Sequence, residues 1–301
     1  MKEFIKQVNG SSNRHPEYGE CFVSENTLQN CPSNKFVSHC TFNYEDFAYK
    51  NTVYDLIFVE ETLRHGSKYM ETGLPSKHFT MLNGNPWLPR PILLLKLLEN
   101  VGHTMNWTAN NFIDPNNPPY DENETEYDYT NLVERFNNIA GRHWNGIKFT
   151  QVPDNKDYQH IWDLNANDVA LIQDGLFQIV CDTNCDLPAS NNKGQHFISP
   201  KLFKCFLSKR PFIYMSNNKH GVYDILKREG FKTFDSVIDE SFDTQKDPNI
   251  KLDNIAELCN NISTKDIKQL YDNTRQICEH NYNAFITKDW LNFANRYNVE
   301  I

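Results

Sequence analysis

The alternation of apolar and polar positions divides the chain into a loose part and a regular part. Residues 1–50 place few apolar runs between polar stretches such as NGSSN and CPSN, and they predict loops with one short helix. From Thr52 the pattern tightens. TVYDLIFVE is β-branched and aromatic enough to predict a buried strand, and HFTML (78–82) predicts a second. RPILLLKLLENVG then runs apolar from Arg90, with Pro91 in the first turn and Gly102 just past the last. Proline at the entry and glycine at the exit mark a helix. NLVERFNNIA (131–140) predicts an amphipathic helix, and WNGIKFTQV another short strand.

Beyond residue 165 the periods alternate steadily. DVALIQDG predicts a helix, FQIVCDT (177–183) a strand, and HFIS a short strand. SPKLFKCFLSK (199–209) predicts a helix, RPFIYMS (210–216) a strand, HGVYDILKREG (220–230) a helix and FKTF a short strand. Helix and strand in turn predict a parallel sheet covered by helices. LDNIAELCNN and TKDIKQLYDNTRQICEHNYNAFI predict two long helices, with WLNFANRYN as a terminal turn or helix. Together these elements predict an α/β protein of two Rossmann-like domains facing a cleft. Residues 1–165 form the N-terminal domain, 166–287 the C-terminal one, and 288–301 a terminal helix packing back on the first.

Composition supports a packed core: 39% of the 301 residues are hydrophobic and 23% charged. No stretch approaches the roughly 18 apolar residues that a membrane span requires. The first ten residues lack the apolar run of a secretory signal, so a cytoplasmic location is expected. The eight cysteines show no CxxC spacing and predict scattered reduced thiols.

Charge changes the picture most. The formal net charge is −9, which argues against a whole-surface affinity for nucleic acid. The acids are clustered: residues 114, 121, 122, 124, 126 and 128 lie in one proline-containing stretch without a basic residue. From Ser199 to Lys232, by contrast, eight Lys/Arg face only Asp224 and Glu229, a local charge of +6. An open parallel sheet binds ligands beyond the carboxyl ends of its strands, where helix heads point. Two such corners carry a cation: Ser199-Pro200-Lys201, and Ser216 to Gly221 with Lys219 and His220. Backbone N–H groups beside a cation suit a phosphate or diphosphate. Solvated helix faces account for Lys204, Lys209, Lys227 and Arg228.

The same segment resembles a block found in phage and large-virus proteins with glycosyltransferase-like domains of the GT-B type. The residues that carry the resemblance are Phe197, Ser199, Lys201, Phe203, Lys204, Pro211-Phe212-Ile213, Gly230-Phe231-Lys232-Thr233-Phe234 and Asp239-Glu240-Ser241-Phe242-Asp243. Upstream, HFTMLNGNPWLPR is similar to that family's F-x-x-L-N-x-x-P-x-x-x-R, through Leu82, Asn83, Pro86 and Arg90. More distantly, the helix start resembles the donor-binding helix of fucosyltransferase-like and exostosin-like enzymes.

The resemblance implies transfer of a sugar from a nucleotide-activated donor, with no cofactor and no bound metal. The acceptor stays open among a modified DNA base, a glycan and a protein. It implies that Asn83, Arg90, Ser199, Lys201, Lys219 and His220 serve the donor and its phosphates. Pro200 stands where the family pattern has Glu, the residue that commonly holds the donor ribose. Asp182 is the neighbouring acceptor that would substitute for it. Glu60 and Glu61, expected at a strand end, are the candidate general base for an acceptor hydroxyl. The alternative is a catalytically degenerate protein of this fold, acting as a nucleotide-binding or protein-interaction module. The Asp239, Glu240 and Asp243 group reads as a loop or helix cap.

Overall fold

A computed structural model of the chain describes residues 36–37, 41–43, 52–53, 73–83, 89–109, 134–135, 138–139, 171–181, 196–198, 200–215 and 221–288. The strands are β1 (Phe36–Val37), β2 (Thr41–Asn43), β3 (Thr52–Val53), β4 (Lys77–Asn83), β5 (Met105–Ala109), β6 (Gly175–Cys181), β7 (His196–Ile198) and β8 (Phe212–Met215). The helices are α1 (Arg90–Val101), α2 (Pro200–Leu207), α3 (Tyr223–Arg228), α4 (Pro248–Ser263) and α5 (Ile267–Thr287).

Four strands make one parallel sheet in the order β5-β4-β6-β8. The chain leaves β4 through α1 to β5 on one side, then builds β6 and β8 on the other. The strand order therefore reverses between β4 and β6. All seven residues of β6 and all four of β8 are buried. Successive side chains of a strand point to opposite faces, so both faces of the sheet are covered, as in an α/β fold.

The helices follow from their sequences. In α1, Arg90, Pro91, Ile92, Leu93, Leu94, Leu95, Leu97, Leu98 and Val101 are buried, and only the narrow stripe Lys96, Glu99 and Asn100, at i, i+3, i+4, is left uncovered. Part of that cover is α4, which packs on α1 and carries Asp253 to Lys96. Asp247 starts α4 by accepting the Asn249 and Ile250 N–H groups, with Pro248 in the first turn. Asp266 starts α5 through the Lys268 N–H. On α2, Phe206 stacks on Phe231 at 4.5 Å and meets Phe212 edge-on at 5.8 Å, while Phe203 packs on Phe285 of α5. The outward-facing Tyr214 N–H of β8 donates to the buried Tyr223 hydroxyl at 2.9 Å.

Several elements depart from the sequence expectation. Within residues 1–50 the described residues form β1 and β2, and the short helix expected there lies outside the described residues. The HFIS strand forms as β7, but it pairs antiparallel with β2 outside the main sheet. FKTF is irregular, because side chains take its backbone groups. Asn281 accepts the Lys232 N–H and donates to the Lys232 carbonyl, and Glu240 accepts the Phe234 N–H. The sheet also takes two strands from each side of the expected boundary at 165/166, since β4 pairs with β6. At that junction Gly175 has no room for a side chain: a Cβ there would stand 2.0 Å from Thr80 Oγ1. The expected terminal helix at 288–301 lies outside the described residues, apart from Lys288.

Candidate functional site

The reversal of strand order between β4 and β6 sets the geometry of the site. In open α/β sheets such a switch point leaves a crevice at the carboxyl ends, because the two flanking connections run off in opposite directions. Here β4 ends at Asn83 and β6 at Cys181. Asn83 is the last residue of the strand and is buried there. Arg90 opens α1 and is 2% exposed, not the surface charge that a helix start usually carries. Its Nε–H donates to the Cys181 carbonyl at 3.2 Å, so the guanidinium reaches from the head of α1 to the end of β6. A buried guanidinium needs hydrogen-bonding partners and a counter-charge, and it confers anion affinity on the place it occupies.

The end of β8 lies beside this point. Cys181 and Met215 are register partners with their sulfur atoms 4.0 Å apart. Among the described thiols, Cys181, Cys205, Cys259 and Cys278 are free and buried. Burial pushes the Cys205 and Cys259 thiols far up, which keeps them protonated and unreactive.

Lys201 lies in the first turn of α2, half-buried, where its carbonyl accepts the Cys205 thiol at 3.6 Å. The α2 crossover returns the chain to the start of a parallel strand, so its head faces the carboxyl edge of the sheet. Ser199, Asp182, Lys219, His220, Glu60 and Glu61 lie outside the described residues.

Of the expected corner Ser216 to Gly221 only Gly221 is among the described residues, and the head of α3 just beyond it is occupied from within. The carboxylate of Asp243 accepts the Tyr223 N–H at 2.9 Å and also bonds the Val222 backbone. Asp243 is 4% exposed and Lys251, equally buried, donates its Nζ–H to the Asp243 carbonyl at 2.9 Å. Burial raises the Asp243 carboxyl, against the two backbone bonds and the Lys251 charge. Gly221, with φ +78°, passes directly over it: a Cβ there would meet Asp243 Oδ2 at 2.7 Å.

Asp239 and Glu240 also act as local caps. Asp239 accepts the Ser241 N–H at 2.9 Å. Glu240 accepts the Phe234 N–H, and burial pushes its carboxyl up to about 7. Among the described residues no group of three His, Cys, Asp or Glu is placed to hold a metal ion. None of the described helices is long and apolar enough to cross a membrane.

Sequence reasoning missed β5 and the burial of Arg210. No family model, curated protein or solved structure matches the chain. Fold and site thus define a class by themselves: a mixed α/β protein with a four-stranded parallel sheet and a buried cation at the reversal of its strand order.

Proposed function

We propose that this chain binds a nucleotide-activated sugar at the carboxyl edge of its sheet and transfers the sugar to an acceptor. The observation that carries the reading is Arg90, buried and bonded to the Cys181 carbonyl beside the buried Asn83. A fixed cation and an amide at a switch point suit the acidic and polar groups of a nucleotide diphosphate. Transfer of sugar, in preference to other nucleotide chemistry, rests on the resemblance of the 197–243 and 78–90 segments to glycosyltransferase-like proteins.

On this reading the leaving diphosphate is stabilised by Arg90, by Lys201 and by the head of α2, without a metal. The acceptor half of a two-domain GT-B arrangement then falls to segments outside the four-stranded sheet, where Glu60 and Glu61 are the candidate base. A cytoplasmic setting, viral or phage, is the one the resemblance implies. The modified DNA base is the least favoured acceptor, because the net charge is −9.

The test is a thermal-shift series with UDP-, GDP- and ADP-sugars, preceded by mass spectrometry for copurified nucleotide. At least one nucleotide sugar is expected to raise Tm, and to be consumed when an acceptor is supplied. Absence of any shift sinks the reading. A second reading, a binding module without turnover, is favoured by one feature: Pro200, at the head of α2, has neither the carboxylate nor the N–H of the family's Glu. A nucleotide that binds and is never consumed selects it.

A further inference from the structure

The two corners of the carboxyl edge differ in charge from within. At the β4/β6 switch point the protein supplies a buried cation, Arg90. At the β8–α3 corner it supplies a buried carboxylate, Asp243, which already accepts the Tyr223 N–H and bonds the Val222 backbone. The carboxylate is carried by the short 3-10 turn Ser241–Thr244, and Lys251 from α4 stands behind it as counter-charge. Gly221 leaves the carboxylate its place, because a Cβ on that residue would stand 2.7 Å from Oδ2 and push it aside. Backbone amides, a lysine and room for one anion are thus assembled here, and the anion is the protein's own.

We propose that Asp243 is a built-in anion that closes the β8–α3 corner to phosphate, confining the acidic group of the ligand to the Asn83–Arg90 side of the carboxyl edge. The proposal rests on the nucleotide reading for its second half and on the Asp243 geometry alone for its first. Like charges in one small volume repel and desolvate each other, so a diphosphate does not share the corner with Asp243. The Asp239-Glu240-Ser241-Phe242-Asp243 segment then acquires a purpose beyond capping: it selects which of two neighbouring corners receives the ligand.

The full chain, isotope-labelled for NMR, is titrated at pH 8 with UDP, GDP and inorganic diphosphate. Saturable shifts are expected at Asn83 and at the Arg90 Nε–H, with the Val222 and Tyr223 amides unmoved. Asn83→Asp, which sets a carboxylate at the switch point, is expected to weaken that response at least tenfold. Asp243→Ala removes the internal anion and the negative charge nearest Lys251, whose bond to the residue 243 carbonyl stays. Its Tm is expected to fall, and formate is expected to restore part of the loss while leaving wild-type Tm unchanged.

A saturable response at Tyr223 with none at Asn83 overturns the proposal and leaves the nucleotide reading standing. No response to any probe overturns the nucleotide reading and the ligand half of the proposal, while formate rescue still decides the Asp243 half. Asp243→Ala that formate does not rescue overturns that half. Should Asp243→Ala not fold at all, Asp243→Asn at the same position is examined in its place. It keeps the Tyr223 bond and loses the charge, and the proposal falls if its Lys251 environment, read from the Nζ resonance, is unchanged.

Discussion

The two edges of the parallel sheet are built on opposite principles. At the amino edge every strand entrance is tied to another element. Arg210, 1% exposed, donates to the carbonyls of Gly73 and Gln173, ahead of β4 and β6. Asp174 accepts from the Ser76 N–H and from Asn106 of β5. Lys77 reaches the His103 carbonyl and His78 pairs with the Lys265 carbonyl, so the turn between α4 and α5 is drawn in as well. At the carboxyl edge a buried cation spans the reversal of strand order, and an internal carboxylate closes the neighbouring corner. One edge spends its polar groups on holding strands together, whereas the other keeps charges of chosen sign near a crevice. On the proposed function, stability and binding are separated along a single sheet, and substitutions at the two edges are expected to report on different properties.

Arg210→Ala gives the largest effect. It leaves two part-buried carbonyls without their guanidinium and removes a large buried side chain, a loss of about 2–5 kcal/mol. Denaturant titration checks it, and a loss below about 1 kcal/mol would show that the amino edge is not held as described. Gly175→Ala comes next: the added Cβ falls on Thr80 Oγ1, and separating β4 from β6 costs about 1–3 kcal/mol of overpacking strain. Arg90→Met sharpens the contrast most. Its stability cost is expected to be smaller than that of Arg210→Ala, since methionine keeps much of the buried volume, but nucleotide-induced Tm shifts are expected to vanish.

The smallest effect is a drift with pH. Glu240 in the folded chain holds its proton up to about 7, above the ordinary 4.5 of an exposed glutamate. Between these values the folded state binds more protons than the unfolded one, so stability falls as pH rises through that window. Asp174 gives the opposite sign in a lower range. Desolvation raises its carboxyl, but the bonds from Ser76 and Asn106 and the Lys77 charge outweigh it, leaving it below 3.8. Its contribution is lost as pH falls through that depressed value. Melting curves from about pH 2 to 8 separate the two, and Glu240→Gln is expected to flatten the upper drift alone.

How much of this was legible depended on whether a residue's role was local. The apolar run of α1 and the Pro91–Gly102 punctuation are local, and the helix stands at Arg90–Val101. The two long C-terminal helices are equally plain. β5 escaped because its five residues follow α1 with only a short 3-10 turn between, and Asn106 and Thr108 dilute its apolar pattern. Arg210 looked like one more cation in a basic segment, and its burial follows from carbonyls that stand 37 and 137 residues away in sequence. Asn83 and Arg90 were found through a spacing pattern, but their meeting with β6 is a matter of strand order. The occupied corner after β8 was the least legible feature. Nothing near Tyr223 announces that its N–H belongs to an acid 20 residues later. The expected division at 165/166 failed to foresee the β4–β6 pairing for the same reason: periodicity predicts strands and is silent on their neighbours.

The Tyr214–Tyr223 bond has a consequence for the molecule as a neighbour among its own kind. Among the described residues β8 pairs only with β6, so its far side is where a further strand would add. A phenol hydroxyl already accepts one of the N–H groups on that side. Burial at this place pushes the Tyr223 hydroxyl well above its ordinary pKa, so it stays a neutral ring alcohol across the physiological range. One of the N–H groups that a further strand would need is thereby already taken by a side chain of the sheet's own covering helix.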